Sequence, residues 1–468
     1  MTVLTQDGLL PNKQRLLSAL EDSPLLTDLY QLNMMQAYLD RGETKTATFE
    51  MFFRKLPVRR GFLIAAGLEQ ALEFLETVNF RDEDLEWLTR SGRFSRDFID
   101  YLAKFRFAGD VHALPEGTVF FPDEPILRVT APLPEAQLVE TRLINLLHFQ
   151  TVIASKAARM VLAAPGKLLV DFGLRRAHGA EAGLLAARAC YIAGFSGTAT
   201  MLAERSFGIP IYGTMAHSFV QAFDDEAAAF EAFARSRPQN LVLLIDTYDT
   251  EAAARKVVDL APRLRADGIE VRGVRLDSGD LADLSRKVRA ILDSGGLGHV
   301  QIFASGGLDE DVLTDLVGAG APIDGVGVGT SLTTSSDVPA LDCAYKLQEY
   351  AGLARRKRSA GKATWPGRKQ VWRRYDAAGL MAGDVLTLEG DPQSGEPLVQ
   401  LVMRSGERIG LPPTLADMRA RVVQNLGRLP DGLKALVPSR RYRVDVAPAL
   451  VDLAAAVDRR LAGGMADG

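Results

Sequence analysis

The sequence predicts an α/β protein built around an irregular parallel (βα) barrel of about seven strands. Between residues 167 and 345, short apolar runs alternate with helical segments, which is typical of parallel strands joined by right-handed crossovers. Polar residues repeatedly fall at or just after the end of a run, and in a barrel these positions meet at one rim. The alternative is an open sheet, in which the same residues would lie along a crevice.

Three further regions flank the predicted barrel. Residues 1–24 are polar and lack the pattern of an export signal, so we expect a flexible arm at the start of a mature cytoplasmic protein. Residues 25–150 mix helical and strand-like patterns, with a β segment at 109–130 and a long helix from about Pro134 to Leu162, which indicates an α/β domain. Residues 346–468 are expected to pack with that N-terminal domain or against the barrel.

The barrel itself is assigned to residues 151–345. Seven apolar runs in this region have the length and the β-branched or aromatic content of buried strands. They are KLLVDF at 167–172, CYIAGF at 190–195, IPIYG at 209–213, NLVLLID at 240–246, EVRGVRL at 270–276, VQIFASGG at 300–307 and GVGVG at 325–329.

The composition excludes several classes of function. The 55 Lys and Arg residues are balanced by 59 Asp and Glu residues, so no overall positive charge attracts nucleic acid. No apolar stretch approaches the roughly eighteen residues of a membrane span. Two cysteines without CxxC spacing and five scattered histidines predict neither a disulfide framework nor a zinc site. The dense basic stretch at 355–374 is interpreted in two ways, as solvated surface or as a loop that faces phosphate.

Two consecutive strand ends carry glycine-rich loops. ASGGLDE contains Ser305, Gly306 and Gly307, and GVGVGTSL contains Gly329 and Thr330. Such loops expose backbone N–H groups and the start of a helix to an anion, and the late loops of a barrel commonly hold phosphate. Glycine is also simply a turn former, but two such loops in succession favour a phosphate site.

VRLDSGDL, at 274–281, places Arg275 and Asp277 in one turn after a strand. A guanidinium suits a phosphate, and carboxylates suit ribose hydroxyls or a Mg²⁺ ion that carries diphosphate. The alternative is that Asp277 or Ser278 merely caps the helix that starts at Leu281. Capping would leave the position of Arg275 unexplained.

DFGLRR, at 171–176, offers an aromatic ring and a guanidinium at another strand end, from Phe172 and Arg175. The alternative interpretation is that Phe172 belongs to the core, as a single phenylalanine usually does.

GTMAHSF, at 213–219, places His217 in a loop after a strand, close to Thr214. A single histidine is often structural. A neutral imidazole that is oriented by a carboxylate is, however, a competent nucleophile toward a phosphoryl group. Asp246, in LIDTYD, is the candidate orienting carboxylate.

Together these residues resemble the nicotinate phosphoribosyltransferase family. The motifs occur in order over about 27–374, and residues 375–468 carry none of them. They are TDLYQ at 27–31, FEMFFRK at 49–55, AAGLEQ at 65–70, DFGLRRAHG at 171–179, FSGT at 195–198, GTMAHSF at 213–219, VRLDSGDL at 274–281, ASGGLDE at 304–310, GVGTSL at 327–332 and the region of KLQEYAG and WPGRKQVWR.

The resemblance implies an enzyme of NAD salvage. It would join nicotinate to 5-phosphoribosyl 1-diphosphate and release nicotinate mononucleotide and diphosphate, with Mg²⁺ and with ATP hydrolysis coupled through a phosphorylated histidine. His217 corresponds to the phosphorylated residue, with Asp246 as its orienting carboxylate. The implied substrate contacts are Tyr30 and Phe172 around the pyridine ring, Thr214 and Arg275 at nicotinate, Arg175 and Asp277 at the phosphoribosyl group, and Gly307, Gly329 and Thr330 around the 5′-phosphate. Ser305 and Gly306 are expected beside them as substrate-binding residues of the same loops.

The resemblance also implies a homodimer with shared active sites. In this arrangement the TDLYQ segment of one chain would reach the site of its neighbour, and a second domain would form from both chain ends. The alternatives are nicotinamide phosphoribosyltransferase, the more distant quinolinate enzyme, and a barrel that binds phosphoribosyl compounds without catalysis. Ala199 stands where the nicotinamide enzymes carry an aspartate, which favours the acid over the amide as substrate.

Overall fold

The computed structural model of the chain describes residues 23–463, so the predicted arm over 1–24 lies almost entirely outside the described residues. The helices, α1 to α17 in chain order, are Leu29–Asp40, Leu68–Thr77, Asp82–Ser91, Arg96–Leu102, Leu133–Leu138, Glu140–Ala163, Ala180–Ala193, Met201–Phe207, His217–Gln221, Glu226–Ser236, Thr250–Ala266, Leu281–Ser294, Glu310–Gly318, Thr330–Thr333, Leu415–Arg428, Asp431–Lys434 and Pro448–Gly463. Within residues 23–463, none of them is both long and apolar enough to cross a membrane.

The strands, β1 to β19, are Thr46–Phe53, Leu63–Ile64, Asp110–Ala113, Val119–Phe120, Pro125–Pro132, Leu168–Asp171, Gly197–Thr198, Leu241–Leu244, Val271–Leu276, Gln301–Ser305, Gly325–Val328, Cys343–Tyr350, Leu353–Ala354, Lys369–Tyr375, Met381–Leu388, Glu396–Pro397, Gln400–Arg404, Glu407–Arg408 and Val444–Val446.

Six parallel strands form the sheet at the centre of the molecule, in the order β7-β6-β11-β10-β9-β8. Helices alternate with these strands along the chain, as the apolar pattern predicts. The outer strands β7 and β8 have no ladder between them in the described part of the chain. The sheet is therefore an incomplete barrel, and we call the gap between β7 and β8 the seam.

Two of the seven predicted strands are wrong. CYIAGF, at 190–195, covers the last turn of α7 and the two residues after it. The apolar run continues an Ala-rich helix, which ends at Gly194, whose φ is +121°. A short apolar run does not by itself distinguish helix from strand. IPIYG, at 209–213, contributes a single bridge from Ile211 to Thr198, beside Pro210, which has no N–H to donate to a ladder.

A seven-stranded sheet joins the two ends of the chain, in the order β13-β12-β1-β5-β3-β17-β18. The N-terminal strand β1 pairs on one side with β5 and on the other with the C-terminal strand β12. The late strand β17 pairs with β3. The fold class is therefore confirmed, because a second domain is made from both ends of the chain.

The predicted long helix from Pro134 to Leu162 is present as α5 and α6, which meet at Val139. The predicted region boundaries at 150 and 345 fall inside α6 and β12, respectively. The division into regions stays a prediction.

The C-terminal helix α15 supports the barrel from outside. Arg419 donates to the main-chain carbonyls of Tyr191 and Phe195, and its guanidinium carbon lies 4.1 Å from the Tyr191 ring centroid. These carbonyls are at the carboxyl end of α7, where a cation is favourable. The C-terminal region thereby fixes the end of the helix that leads into β7.

Candidate active site

Several of the residues that the sequence nominated lie at the carboxyl ends of the parallel strands. Phe172 follows β6, Asp246 comes two residues after β8, and Asp277 comes directly after β9. Ser305 is the last residue of β10 and Gly329 follows β11. Because neighbouring strands are paired in parallel register, these positions meet along one edge of the sheet.

Arg275, Thr214 and Phe172 form one corner of the site. Arg275 Nη1 donates to Thr214 Oγ1 at 2.7 Å, and its guanidinium carbon lies 5.9 Å from the Phe172 ring centroid. Burial lowers the pKa of Arg275, and the nearby carboxylates of Asp277 and Asp246 oppose this effect. The guanidinium stays charged at neutral pH. Its Nε is buried and has no hydrogen-bond partner among the described residues. The corner thus presents a cation and an aromatic ring to a planar anion.

Asp171 fixes the backbone on which Phe172 sits. Its buried carboxylate accepts from Gly173 N and from Thr198 Oγ1, each at 2.8 Å. Burial raises the pKa of Asp171, and the two hydrogen bonds oppose that effect. On the neighbouring strand, a Cβ at Gly327 would lie 2.4 Å from the Phe172 ring, so only glycine leaves room for the ring there. Through Thr198, Asp171 links the DFG segment at 171–173 to β7.

His217 lies between two side chains at the same edge. Its Nδ1 is 3.1 Å from Thr247 Oγ1, and its Nε2 is 3.7 Å from Asp277 Oδ2. Asp246 instead accepts from Asp277 N at 2.9 Å and from Ser278 Oγ at 2.6 Å. This corrects the prediction that Asp246 orients the imidazole, because its carboxylate is turned toward the loop after β9. Sequence reasoning missed Thr247, whose only signal is its place beside Asp246.

The loop after β9 leaves Asp277 available to the site. Asp280 caps α12 by accepting from Asp283 N at 3.0 Å, so the alternative that Asp277 or Ser278 caps this helix is wrong. Asp277 Oδ1 accepts from Ser305 Oγ on the next strand. Gly306 has a φ of +91°, and a Cβ there would lie 2.0 Å from the Asp277 carbonyl oxygen. This close approach requires glycine.

The remaining rim residues are open to solvent. Gly306, Gly307 and Thr330 are exposed at the ends of β10 and β11, and Gly329 is half-buried. Arg175 is exposed in a short 3₁₀ turn at Leu174–Arg176, and its charge contributes to lowering the pKa of Arg275. The structure therefore brings these groups to one open edge, facing the Arg275 corner.

Tyr30 is the predicted site residue that the single chain does not bring to this edge. It lies on α1, which packs against α5, and its side chain is 46% exposed. Burial and the carboxylates of Glu140 and Asp28 raise the pKa of Tyr30, and hydrogen bonds with Thr141 and Gln31 oppose this effect.

A basic cavity of about 370 Å³ opens near Tyr30. It is lined by four cationic side chains, beside Glu140: Arg54, Lys346, Lys357 and Lys362. Glu140 also accepts from Gln31 Nε2 at 3.2 Å, on the same helix as Tyr30. The basic stretch at 355–374 thus contributes two lysines to a surface where cations outnumber carboxylates, which suits an anion.

No group of three or more His, Cys, Asp or Glu side chains is placed to hold a metal ion within residues 23–463. Asp246 Oδ1 is buried without a hydrogen-bond partner there, close to the Asp277 loop. Mg²⁺ commonly binds through one or two carboxylates together with waters and substrate phosphates. Asp246 and Asp277 fit an ion of this kind that arrives with a diphosphate.

Comparison with known proteins shows the family of the chain. Family models of the nicotinate phosphoribosyltransferase N-terminal domain, family core and C-terminal domain match residues 25–148, 168–352 and 390–454, respectively. The chain belongs to the nicotinate phosphoribosyltransferase family. The match over 390–454 lies in a region where the sequence motifs gave no resemblance.

Relatives of this family match nearly the whole chain. The nicotinate phosphoribosyltransferase pncB2 of Mycobacterium tuberculosis is 52% identical over 413 residues, which is 88% of this chain and 89% of the relative. The Bacillus subtilis nicotinate phosphoribosyltransferase is 37% identical over 90% of this chain and 92% of its own. The crystal structure of human nicotinic acid phosphoribosyltransferase superimposes with a TM-score of 0.83 and 29% identity, over 92% of this chain and 99% of that one.

Proposed function

We propose that this chain transfers the phosphoribosyl group of 5-phosphoribosyl 1-diphosphate to nicotinate, with ATP hydrolysis coupled through His217. The observation that carries the proposal is the Arg275, Thr214 and Phe172 corner, which faces glycine loops and the Asp277 carboxylate. A carboxylate on a flat aromatic ring and a phosphorylated ribose are the two kinds of group that such an edge suits.

Nicotinate binds in the Arg275 corner. The Phe172 ring stacks on the pyridine, and the Arg275 guanidinium attracts the carboxylate. The ring nitrogen carries its own lone pair, so the reaction needs no strong general base. It needs alignment of that nitrogen with C1 of the ribose and stabilisation of the charge that develops there and on the diphosphate.

The phosphoribosyl group binds along the glycine loops. Backbone N–H groups around Gly306, Gly307, Gly329 and Thr330 receive the 5′-phosphate, and Ser305 holds Asp277 toward the ribose hydroxyls. Arg175 adds an exposed cation for the diphosphate. Asp246 and Asp277 would hold Mg²⁺, which neutralises charge on the leaving diphosphate when bound.

His217 takes the phosphoryl group of ATP in a separate step. An imidazole nitrogen attacks the γ-phosphorus, the bond to the bridging oxygen breaks, and ADP leaves; hydrolysis of the phosphohistidine later releases phosphate. The side chain is partly exposed at the edge that Asp277 shares, so its phosphorylation changes the charge beside the ribose site. That proximity is the physical basis for coupling.

The proposed enzyme is a homodimer in which Tyr30 of one chain completes the site of its partner. Tyr30 is exposed together with Leu26 and Leu29, which gives the start of α1 an exposed apolar surface. The basic cavity beside α1 supports the same arrangement, because it would bring cations to the partner's phosphates.

The deciding experiment measures nicotinate mononucleotide formation with and without ATP in wild type and in His217→Ala. We expect the variant to lose ATPase activity and acid-labile phosphoryl label while it keeps a slower, ATP-independent synthesis. His299→Ala is the matched control, because His299 is exposed and precedes the start of β10, at the end of that strand opposite to Ser305. Normal ATP hydrolysis by His217→Ala would show that the histidine is structural.

A further inference from the structure

The seam of the incomplete barrel contains a cavity of about 640 Å³, a volume typical of small-molecule sites. One wall comes from the β7 edge, through Ala199 and Thr214. The other comes from the β8 edge and the segment before it, through Phe233, Arg237 and Val242. The cavity therefore occupies the place where a closed barrel would have its last strand contact.

The inner end of this seam cavity reaches the active site. Thr214, which lines the cavity, is the residue whose Oγ1 accepts from Arg275 Nη1 at 2.7 Å. Ala199 donates its N–H to the carbonyl of Asp171, on the strand end that carries Phe172. A molecule in the seam cavity would thus contact Thr214, a member of the nicotinate corner.

The outer end carries a single charge. Arg237 is the one charged side chain among the described lining residues, and its guanidinium has no ion-pair or hydrogen-bond partner in residues 23–463. Its neighbour Arg235, in contrast, is paired with Glu231 and Asp267. Between the two ends the walls mix polar side chains with apolar ones, and the apolar ones include Ile211, Phe233 and Val242.

We propose that the seam cavity is a second site for pyridine carboxylates, through which nicotinate reaches Thr214 and Arg275. This inference rests on the proposed function. An aromatic acid suits the cavity because its carboxylate is attracted by Arg237 at the outer mouth and its ring packs on the apolar side chains of the walls. The phosphoribosyl diphosphate and the partner chain would cover the rim at the carboxyl ends of the strands. The seam cavity would then give the aromatic acid a second route to the site while both are bound.

The first test changes the charge at the outer mouth. We expect Arg237→Glu to lower kcat/KM for nicotinate about fivefold at low salt, and the difference to shrink at high salt, because attraction between exposed charges is screened. kcat and the KM for 5-phosphoribosyl 1-diphosphate should not change. Arg459→Glu is the matched control, an exposed arginine on α17 that does not line the cavity.

The second test blocks the mouth from outside. Ser236→Cys, at an exposed lining position, is labelled with a bulky maleimide, and Ser294→Cys on α12 is labelled as the control. We expect the KM for nicotinate to rise about fivefold or more only after labelling at 236. An unchanged KM in both Arg237→Glu and labelled Ser236→Cys, with an active wild type, would overturn this inference alone. A wild type that forms no nicotinate mononucleotide would overturn the proposed function and this inference together.

Discussion

Thr247 Oγ1 lies 3.1 Å from Nδ1 of His217, on the side of the ring opposite the nitrogen that faces Asp277. Thr247 follows Asp246, whose carboxylate is engaged with the loop after β9. The threonine hydroxyl is therefore the group that sets the orientation of the imidazole, and the aspartate sets the loop that the imidazole faces. Two adjacent residues thus position two neighbouring parts of the site.

Thr247→Val should weaken ATP coupling, because it removes the hydroxyl that orients His217 while it keeps the branched shape of the side chain. We expect the amount of phosphohistidine formed with ATP to fall about tenfold, with little change in ATP-independent synthesis. Thr247→Ser keeps the hydroxyl and should restore labelling. Equal phosphohistidine in the valine and serine variants would show that the contact does not matter.

Ala199→Asp should reduce the use of nicotinate. Ala199 is exposed in the cavity that Thr214 lines, so a carboxylate there would repel the substrate carboxylate near Arg275. We expect wild type to prefer nicotinate strongly over nicotinamide, and the variant to lose at least about tenfold in kcat/KM for the acid. Ala199→Asn separates charge from size, since it adds a similar volume without a charge. Equal kcat/KM for the two pyridines in wild type would contradict the prediction.

The fold could be predicted from the sequence because strand and helix alternate strongly over 167–345, and five of the seven predicted strands are present. The failures have local causes. The apolar run at 190–195 fits either a strand or a helix, and the packing of α7 against α6 decides in favour of the helix. The C-terminal support of α7 by Arg419 leaves no local pattern, because it depends on a contact between distant segments.

The positions of several site residues could be expected from the sequence, since Phe172, Asp246 and Asp277 each come after a parallel strand. Their side-chain partners were not. In DSGD at 277–280, Asp277, Ser278 and Asp280 are all residue types that cap helices. The course of the backbone determines that Asp280 is the one that does so. Likewise Asp246 and Thr247 are both adjacent to β8, and the side-chain directions decide which one contacts His217.

Asp337→Asn should destabilise the protein at neutral pH. Asp337 lies 3.1 Å from Arg60 and 2.8 Å from Lys156, and although burial opposes its ionisation, these cations lower its pKa to about 2. The pKa in the unfolded chain is about 3.9, so the ionised carboxylate stabilises the fold above about pH 4 and this contribution is lost as the pH falls toward 2.

We therefore expect Asp337→Asn to lower the free energy of unfolding by about 2 kcal/mol at pH 7, measured by urea denaturation. The difference from wild type should be smaller at pH 3. Asp431→Asn is the control, because this carboxylate is almost fully exposed and should have little effect at either pH. A difference that is the same at both pH values would mean that the loss comes from packing rather than from charge.

Mixing variants at Tyr30 and Arg275 tests whether the active site is shared between two chains. Tyr30 lies on α1 and interacts with Thr141, Gln31, Glu140 and Asp28 rather than with the residues around Arg275, and the proposed function places it in the partner's site. Tyr30→Ala and Arg275→Ala should each be nearly inactive as homodimers. When equal amounts exchange subunits at random, half of the dimers are mixed and one of their two sites is intact, so activity should recover to about a quarter of wild type.

The matched control mixes Phe172→Ala with Arg275→Ala. Both side chains belong to the same corner of one chain, with the guanidinium carbon of Arg275 5.9 Å from the Phe172 ring, so every site in that mixture lacks one of them. No recovery is expected, because exchange of subunits cannot bring the two side chains into one corner. If exchange is verified by mass and the Tyr30 and Arg275 mixture stays as inactive as its parents, Tyr30 acts within its own chain or has no part in the reaction.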